Sequence, residues 1–537
     1  VETTDKKPEE PKPWYQEITQ PFKDLVHAPR ALWGVNLAYG LEGLSYFGIL
    51  TYLAMHFSDY IFKGVEHADI WSHNMVMVLT AGIAISMVVL GFIPDKLGPR
   101  RVLLGAFVVL VIGRVLMAAA PTVLGMQPNG LWSALHLTTM AGIFFVLIGY
   151  GVYQPAAYSA VRQLTTPKTA EMGYAMLYAL MNAGSSLVML AFLLRDEEFL
   201  GLGIPGMFWI FTGITVVSLL ATFFLLTPKT MADAIAKAKT ETDSQRKATE
   251  DAKSVEQKKS DADAKQARTA AAAAPAKLPV HVWVVLALII AAAYWRLGAP
   301  WSHGVAALVV LVPVVIALLP RAPRTRVVRA IATHPLANTK FFFFIFALMP
   351  VQTLFTYNWL VLPQYIERSY AGWIGRDFEF ASNLNPVLIF VLVPVITALT
   401  IKTKVYSAMI WGTLVMASSA FFLAFGANIY TLVAYVLMMT VGEAIWSARF
   451  LGYATSIAPE GQAGQYQGVA QLPWFLTKFL VPLLYSGVMM ERYCPTDGPK
   501  NTEKMWFIFG LIAIISPILL IVAKRWVGSS LEKKQTA

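Results

Sequence analysis

One cysteine, Cys494, occurs in 537 residues, so the chain can form no internal disulfide and no thiolate metal cluster. Charge is scarce too: 14% of residues are Asp, Glu, Lys or Arg, against about 25% in a soluble domain. The eight histidines, at 27, 56, 67, 73, 136, 281, 303 and 334, include no pair at the i, i+4 spacing of a helical zinc site. They fall near helix ends or in loops and read as solvated. No GxSxG elbow, phosphate-cradling glycine loop or CxxC occurs. The expectation is therefore a protein that is not an enzyme and needs no metal or cofactor. The opening VETTDKKPEEPKPWY has no apolar core of signal-peptide type, so the first apolar helix is expected to act as its own insertion signal.

What the chain does have is apolar residues, 56% of the total, in recurrent runs of about 20, the length that crosses a bilayer as a helix. The runs fall at 33–56, 73–94, 102–120, 135–161, 172–194 and 207–227, then 279–298 and 303–320. Six more follow at 340–365, 383–401, 406–426, 429–449, 467–490 and 504–524. The reading is an all-α polytopic membrane protein of fourteen helices. An N-terminal interfacial segment (1–32) precedes a six-helix bundle (33–227), a charged cytoplasmic linker (228–278) and an inserted two-helix hairpin (279–320). A second six-helix bundle (321–527) and a cytoplasmic tail (528–537) complete it. The hairpin's LVVLVPVVIALLP is uniformly apolar and is expected to face lipid. The linker shows no apolar face and is expected to be partly helical with nothing to pack against.

The net charge of +11 does not point to nucleic acid, because the basic residues sit in alternate short loops. Lys96, Arg100 and Arg101 form one group, Arg162 and Lys168 the next, then Arg321, Arg324, Arg326 and Arg329, then Lys402 and Lys404, and last Lys524 and Arg525. That is the positive-inside pattern, which places both termini in the cytoplasm. The expected location is a bacterial inner membrane.

Between the second and third runs lies GFIPDKLGPRR. Gly91 permits close helix approach, Gly98 makes the turn, and Asp95 can cap the next helix or pair with Arg100 or Arg101. The stretch resembles the loop of the major facilitator superfamily, Gly-x-x-x-Asp-Lys/Arg-x-Gly-x-Arg-Arg, at every defining position. The resemblance implies two bundles that rock about a central cavity, with this loop as a conformational latch.

A narrower resemblance is to the proton-dependent oligopeptide transporters, also called the peptide/nitrate transporter family. GYAMLYALMNAGSSL resembles that family's Phe-Tyr-x-x-x-Asn-x-Gly, with Tyr178, Asn182 and Gly184 in place. SNLNPVLIF resembles its Asn-Pro element, at Asn385 and Pro386, and VGEAIWSARFLGYATSIAP its Gly-Glu element, at Gly442 and Glu443, followed by Ala458 and Pro459. GYGVYQPAAYSAV carries the Gly-x-Gly-x-x-x-Pro frame around Tyr153 and Gln154. Where the family has Glu-x-x-Glu-Arg, this chain reads Tyr39-Gly40-Leu41-Glu42-Gly43, so the first Glu is Tyr39 and the Arg is Gly43. The family lysine of the fourth helix, which partners the peptide carboxylate, is Gln154.

The membrane-embedded charges carry the candidate site. Glu42 shares a helical face with Tyr39, Ser45 and Tyr46. It is either a proton carrier or counter-ion to a cationic cargo, or else a neutral carboxyl hydrogen-bonded between helices. Glu443 shares its face with Thr440, Trp446 and Ser447; the resemblance implies a role at the cargo's amino end or in gating. Lys478, with Trp474 one turn away, replaces the missing family cations and is expected to pair with Glu443 or Glu42, the alternative being a lysine that snorkels to the interface. Arg114 is divided between cavity and structural pairing, Arg449 reads as an interfacial anchor, and Gln352, Asn358 and Trp359 read as cavity hydrogen-bonders or glue between helices.

The expected function is a secondary active transporter, a proton-coupled symporter of a small polar solute working by alternating access, with di- or tripeptides implied by the resemblance. Its partners are then the solute, protons and the lipid bilayer, with no nucleic acid and with linker 228–278 as a candidate protein-docking element. Two alternatives stay open: a carrier or exporter of a non-peptide solute, and a non-transporting membrane sensor or scaffold.

Overall fold

The computed structural model describes residues 29–165, 170–252, 280–296, 301–318, 320, 327–329, 331–400, 403–457 and 463–528. Among them there is no strand, and the helices follow in order. The first half holds α1 (Arg30–Met55), α2 (Ala68–Leu90), α3 (Pro99–Ala119), α4 (Ala134–Leu164), α5 (Ala170–Leu187) and α6 (Gly203–Leu225). Then come α7 (Pro228–Ala252), α8 (Val280–Arg296) and α9 (Trp301–Leu318). The second half holds α10 (Thr339–Leu360), α11 (Leu362–Ser369), α12 (Leu384–Leu399), α13 (Val405–Leu423), α14 (Ile429–Ile457), α15 (Gly468–Tyr493) and α16 (Thr502–Val522).

Nine of the helices among the described residues are long and apolar enough to cross a membrane. The expected fourteen is not reached by that measure. α1 is diluted by Asn36, Tyr39 and Glu42, and α5, α8, α9 and α12 have only 18, 17, 18 and 16 residues. Inside the helix packing, buried hydroxyl groups bond back to their own backbone: Thr139 to Leu135 O at 2.8 Å, Thr212 to Phe208 O at 2.6 Å and Thr222 to Ser218 O at 2.8 Å. Such bonds leave no polar side chain seeking water in the hydrocarbon.

Local signals set several helix starts. Gly98 (φ +82°) turns the chain into Pro99, which begins α3 with the fixed φ a first helical turn wants. Ser133 caps α4 by accepting the His136 N–H at 3.2 Å. Two helices change winding. α1 runs on into a π-helical turn, His56–Ile61, and α15 contains another, Pro482–Ser486.

The chain forms two compact units, the first made of Val1–Gln245, Met349–Arg449 and Pro473–Leu519, the second of Arg246–Leu348, Phe450–Leu472 and Leu520–Ala537. In the first, α1 packs on α5 and α6, α3 on α4 and α6, and α2 on α4. At the α1–α5 crossing a Cβ on Gly184 would collide with the Gly40 carbonyl oxygen. A Cβ on Gly43 would come within 2.9 Å of Met181 O and 3.1 Å of Met181 Cα. In the second unit α8 packs on α9, and the His281 ring bridges Leu336 O (2.7 Å) and Thr339 Oγ1 (3.2 Å). The α9 side chains Leu308, Val310, Leu311 and Leu318 are exposed.

Two sequence readings are corrected here. The linker helix α7 does have a packed face: Met231, Ala234 and Ala238, at helical spacing, are buried. The rest of the linker, 253–278, lies outside the described residues. Nor are all the histidines solvated, since His56, His73 and His136 are buried, at 2% exposure or less.

Candidate functional site

Glu42 projects from the middle of α1 into the packed interior of the first six helices. Its partner is Arg114, from the C-terminal part of α3, and both side chains are 1% exposed. The guanidinium grips the carboxylate at two points: Nη2 to Oε1 at 2.6 Å and Nη1 to Oε2 at 3.1 Å. Tyr150 of α4 donates its hydroxyl to Oε1, and Thr215 of α6 lies 3.3 Å from Oε2. Arg114 also donates to Tyr150 Oη at 3.1 Å and to Thr215 Oγ1. Four helices thus meet on one neutralised charge pair. Among the described residues only Nε of the Arg114 guanidinium lacks a hydrogen-bond partner.

Gly43 explains why the cation comes from α3. The resembled family has arginine at that place, but here the α5 backbone at Met181 occupies the space its side chain would need. Beside the pair lies a gap of roughly one water's size, lined by Tyr39, Glu42, Tyr46, Tyr150, Tyr153 and Gln154, among others. Tyr39 stacks on Tyr153 with centroids 5.5 Å apart, and Tyr46 meets Tyr150 edge-on at 5.3 Å. Gln154 Nε2 donates to Tyr39 Oη at 3.1 Å, while Tyr153 Oη has no partner among the described residues. Around the Glu42–Arg114 pair the side chains form a neutral wall of phenols and one amide.

The second half is different. Glu443 of α14 is 8% exposed and accepts from Asn385 Nδ2 of α12 at 3.1 Å; the same amide also reaches Thr440 Oγ1 at 3.0 Å. Lys478 of α15 places its ammonium 4.1 Å from the centre of the Trp474 ring. Among the described residues neither Glu443 nor Lys478 belongs to an ion pair, so the expected pairing of Lys478 with Glu443 or Glu42 is absent from this structure. Trp446 donates to Met416 Sδ at 3.2 Å. Asn358 accepts from Tyr435 at 2.6 Å and donates to Met439 Sδ, behaving as glue between α10 and α14. Gln352 is 2% exposed, and its Oε1 has no partner among the described residues. Trp359 and Asn182 are half-buried, and the side chain of Tyr178 lies outside the described residues. Arg449 donates to Thr400 O at 2.5 Å.

Sequence reasoning missed a third assembly, which ties the two halves together inside the first unit at the end bearing the α1–α2 loop. Arg368, 2% exposed, takes Asp69 in a two-point grip at 2.7 and 2.8 Å and reaches Asp59 at 3.3 Å. Fully buried Glu379 accepts from Tyr52 at 2.7 Å and from both Nε and Nη2 of Arg195. Arg376 pairs with Asp196 at 3.0 Å and with Glu198. The His73 ring bridges Ser486 Oγ (2.7 Å) and Gln364 Oε1 (2.9 Å). One signal for this was present: RDEE at 195–198 and RDFE at 376–379 put the same charge alternation into both loops. Outside the spans, hydrogen bonding to Glu491 raises the His67 pKa, and the Glu198 backbone N–H, donated at 3.0 Å, lowers that of Asp196.

The opposite end of the first half is loosely held. Asp95 faces Arg162 at 3.8 Å, both well exposed, rather than Arg100 or Arg101. Arg100 instead donates to Leu226 O, and Arg101 is exposed. Gly91 passes Pro155 of α4, whose Cγ would sit 3.5 Å from a Cβ there.

Residues 35–482 match the Major Facilitator Superfamily. No curated protein matches the sequence. Among solved structures, a peptide transporter POT in complex with sulfate has a TM-score of 0.60 at 16% identity, covering 93% of this chain and 95% of that one. A POT family transporter in complex with 5-aminolevulinic acid has 0.59 at 17%, with coverage of 93% and 97%. The POT family transporter PepTSo, solved in meso, has 0.62 at 16%, with coverage of 93% and 99%. At these identities the likeness is one of fold.

Proposed function

We propose that this chain, which belongs to the Major Facilitator Superfamily, is a proton-driven carrier of small polar solutes, di- or tripeptides among them, in which Glu443 carries the coupled proton. The carrying observation is the contrast between the two membrane carboxyl groups. Protonating Glu42 would break a two-point ion pair and strand a guanidinium 1% exposed. Protonating Glu443 would break no ion pair, since one neutral amide is all that holds it among the described residues. Glu443 is therefore the acid free to change charge as the path changes side, and Glu42–Arg114 is a fixed structural pair.

The assembly at the α1–α2 loop end supports alternating access. It joins the halves through buried charges, while the Asp95 loop holds only an exposed pair. Such an arrangement belongs to a state shut at the first end. By the loop charges, the shut end faces away from the cytoplasm of a bacterial inner membrane, where both termini lie. One proton moving down a membrane potential releases about 2.3 kcal/mol per 100 mV, enough to concentrate a neutral solute substantially. The peptide cargo is drawn from the fold likeness to POT transporters, two of which were solved with sulfate and with 5-aminolevulinic acid.

Purified protein in liposomes tests this. Glu443→Gln should abolish uptake driven by a pH gradient yet keep exchange of labelled for unlabelled dialanine. Gradient-driven uptake that survives the substitution would remove Glu443 from the coupling step.

A further inference from the structure

Among the described residues the wall formed by the first half carries no free cation. Arg114 is committed to Glu42, Tyr150 and Thr215, and the place of the family lysine is held by Gln154, itself bonded to Tyr39. Lys478 is a different case. It lies ten residues from Gly468 and fifteen from Tyr493 along α15, so about 15 Å from the nearer helix end at 1.5 Å per residue. That depth puts a lipid phosphate out of its reach. An ammonium so deep has to face protein or a wet path, and here it has an aromatic face and no carboxylate among the described residues.

Two contacts fix its height relative to Glu443. Thr477, the neighbour of Lys478, bonds Thr356 of α10 at 3.3 Å. Phe355, the neighbour of Thr356, meets Trp446, one turn along from Glu443, with centroids 6.2 Å apart. α10 thus has Lys478 on one neighbouring helix and Glu443 on another, within about one turn of the same level. One turn along α10 from Thr356 stands Gln352, 2% exposed, with its carbonyl oxygen unsatisfied among the described residues. A buried acceptor without a donor is destabilising, so it is a place for a ligand N–H to fill.

We propose that Lys478 binds the carboxylate of the cargo, which makes the cargo a short zwitterion whose charged and N–H groups are read by α10, α14 and α15 of the second half. This rests on the carrier reading above and adds the chemical class and the residue that selects it. The Trp474 ring holds the ammonium in place without neutralising it, so the charge remains available to an anion.

The test is binding, read by thermal stabilisation of the purified full chain in detergent. The probes are dialanine, alanine and acetate, each beside the carboxamide that lacks its carboxylate charge. Wild-type protein should be stabilised by the acids beyond their amides. Lys478→Gln should erase that preference, weakening dialanine about tenfold or more, as loss of a charged hydrogen bond does. Lys478→Arg should keep part of it. Acids and amides that act alike on the wild type, whether both stabilise or neither does, overturn the proposal. So does a preference that survives in Lys478→Gln. If the glutamine variant does not fold, the wild-type comparison and the arginine variant decide. Acid-selective binding without gradient-driven flux would sink the carrier reading and leave this assignment standing.

Discussion

Replacing Arg114 by Met leaves the Glu42 carboxylate in the protein interior with two hydroxyl partners, Tyr150 and Thr215, and no cation. Removing one member of a buried ion pair costs about 3–5 kcal/mol, because the survivor keeps its desolvation penalty and loses its compensation. Glu42→Gln alone strands the guanidinium and should cost a similar amount. The double variant, Glu42→Gln with Arg114→Met, removes both charges, and its amide can still meet Tyr150 and Thr215. It should be more stable than either single variant, with a coupling energy of at least about 2 kcal/mol. Denaturant unfolding of the four proteins in detergent closes the cycle. Additivity within about 0.5 kcal/mol would refute the pair as the organising contact of the first six helices. The double variant should also retain uptake driven by a pH gradient. If it folds and loses that coupling while Glu443→Gln keeps it, the roles assigned to the two carboxyl groups are reversed.

Further outcomes follow from the packing and from the shut end. Gly184→Val should abolish folded yield, because its first added carbon meets the Gly40 carbonyl, whereas Gly105→Ala, with nothing within 4 Å of the new carbon, should be neutral by size-exclusion profile and melting temperature. Arg368→Ala should loosen the shut end, and fully buried Cys494, whose carbonyl accepts from Arg368 at 3.1 Å, reports on it. Its labelling by a membrane-impermeant thiol reagent should speed up several-fold, and an unchanged rate counts against a gate held by Arg368. His67 lies 2.5 Å from Glu491 and 3.5 Å from Glu66, and its pKa is raised by hydrogen bonding and attraction to Glu491. A raised folded-state value means the contact's contribution is full below the ordinary histidine range and is lost as pH climbs through the raised one. Labelling of Cys494, divided by that of the unfolded protein to remove the thiolate's own rise with pH, should therefore quicken over that upper window in wild type, and His67→Gln should flatten the dependence.

The membrane class and the superfamily are legible in the sequence because each is written in neighbouring residues: runs of apolar side chains, and eleven consecutive letters of GFIPDKLGPRR. Glu42 and Glu443 stand out for the same reason, as acids inside apolar runs. Their partners do not. Arg114 is 72 residues from Glu42, and nothing local separates a guanidinium aimed at a carboxylate from one aimed at a cavity. Gly43 looks like the loss of a cation when read as a letter; in three dimensions it is the space through which α5 passes. The shut end was hidden because Arg195, Arg368 and Arg376 sit at helix ends, where a basic residue ordinarily signals topology. Arg368 finds Asp69 at a separation of 299 residues. His73 looks like a loop histidine until α11 and α15 fold over it.

Gly40, Gly43 and Gly184 bring α1 and α5 together backbone against backbone. Helices meshed so tightly cannot ratchet past one another by a fraction of a turn, so the pair must swing as a single strut. Within the first unit the winding widens at His56–Ile61 and Pro482–Ser486, the turns where give is expected. Each of those turns carries a residue that clasps the opposite half, Asp59 in one and Ser486 in the other, which makes hinge and bolt the same few residues.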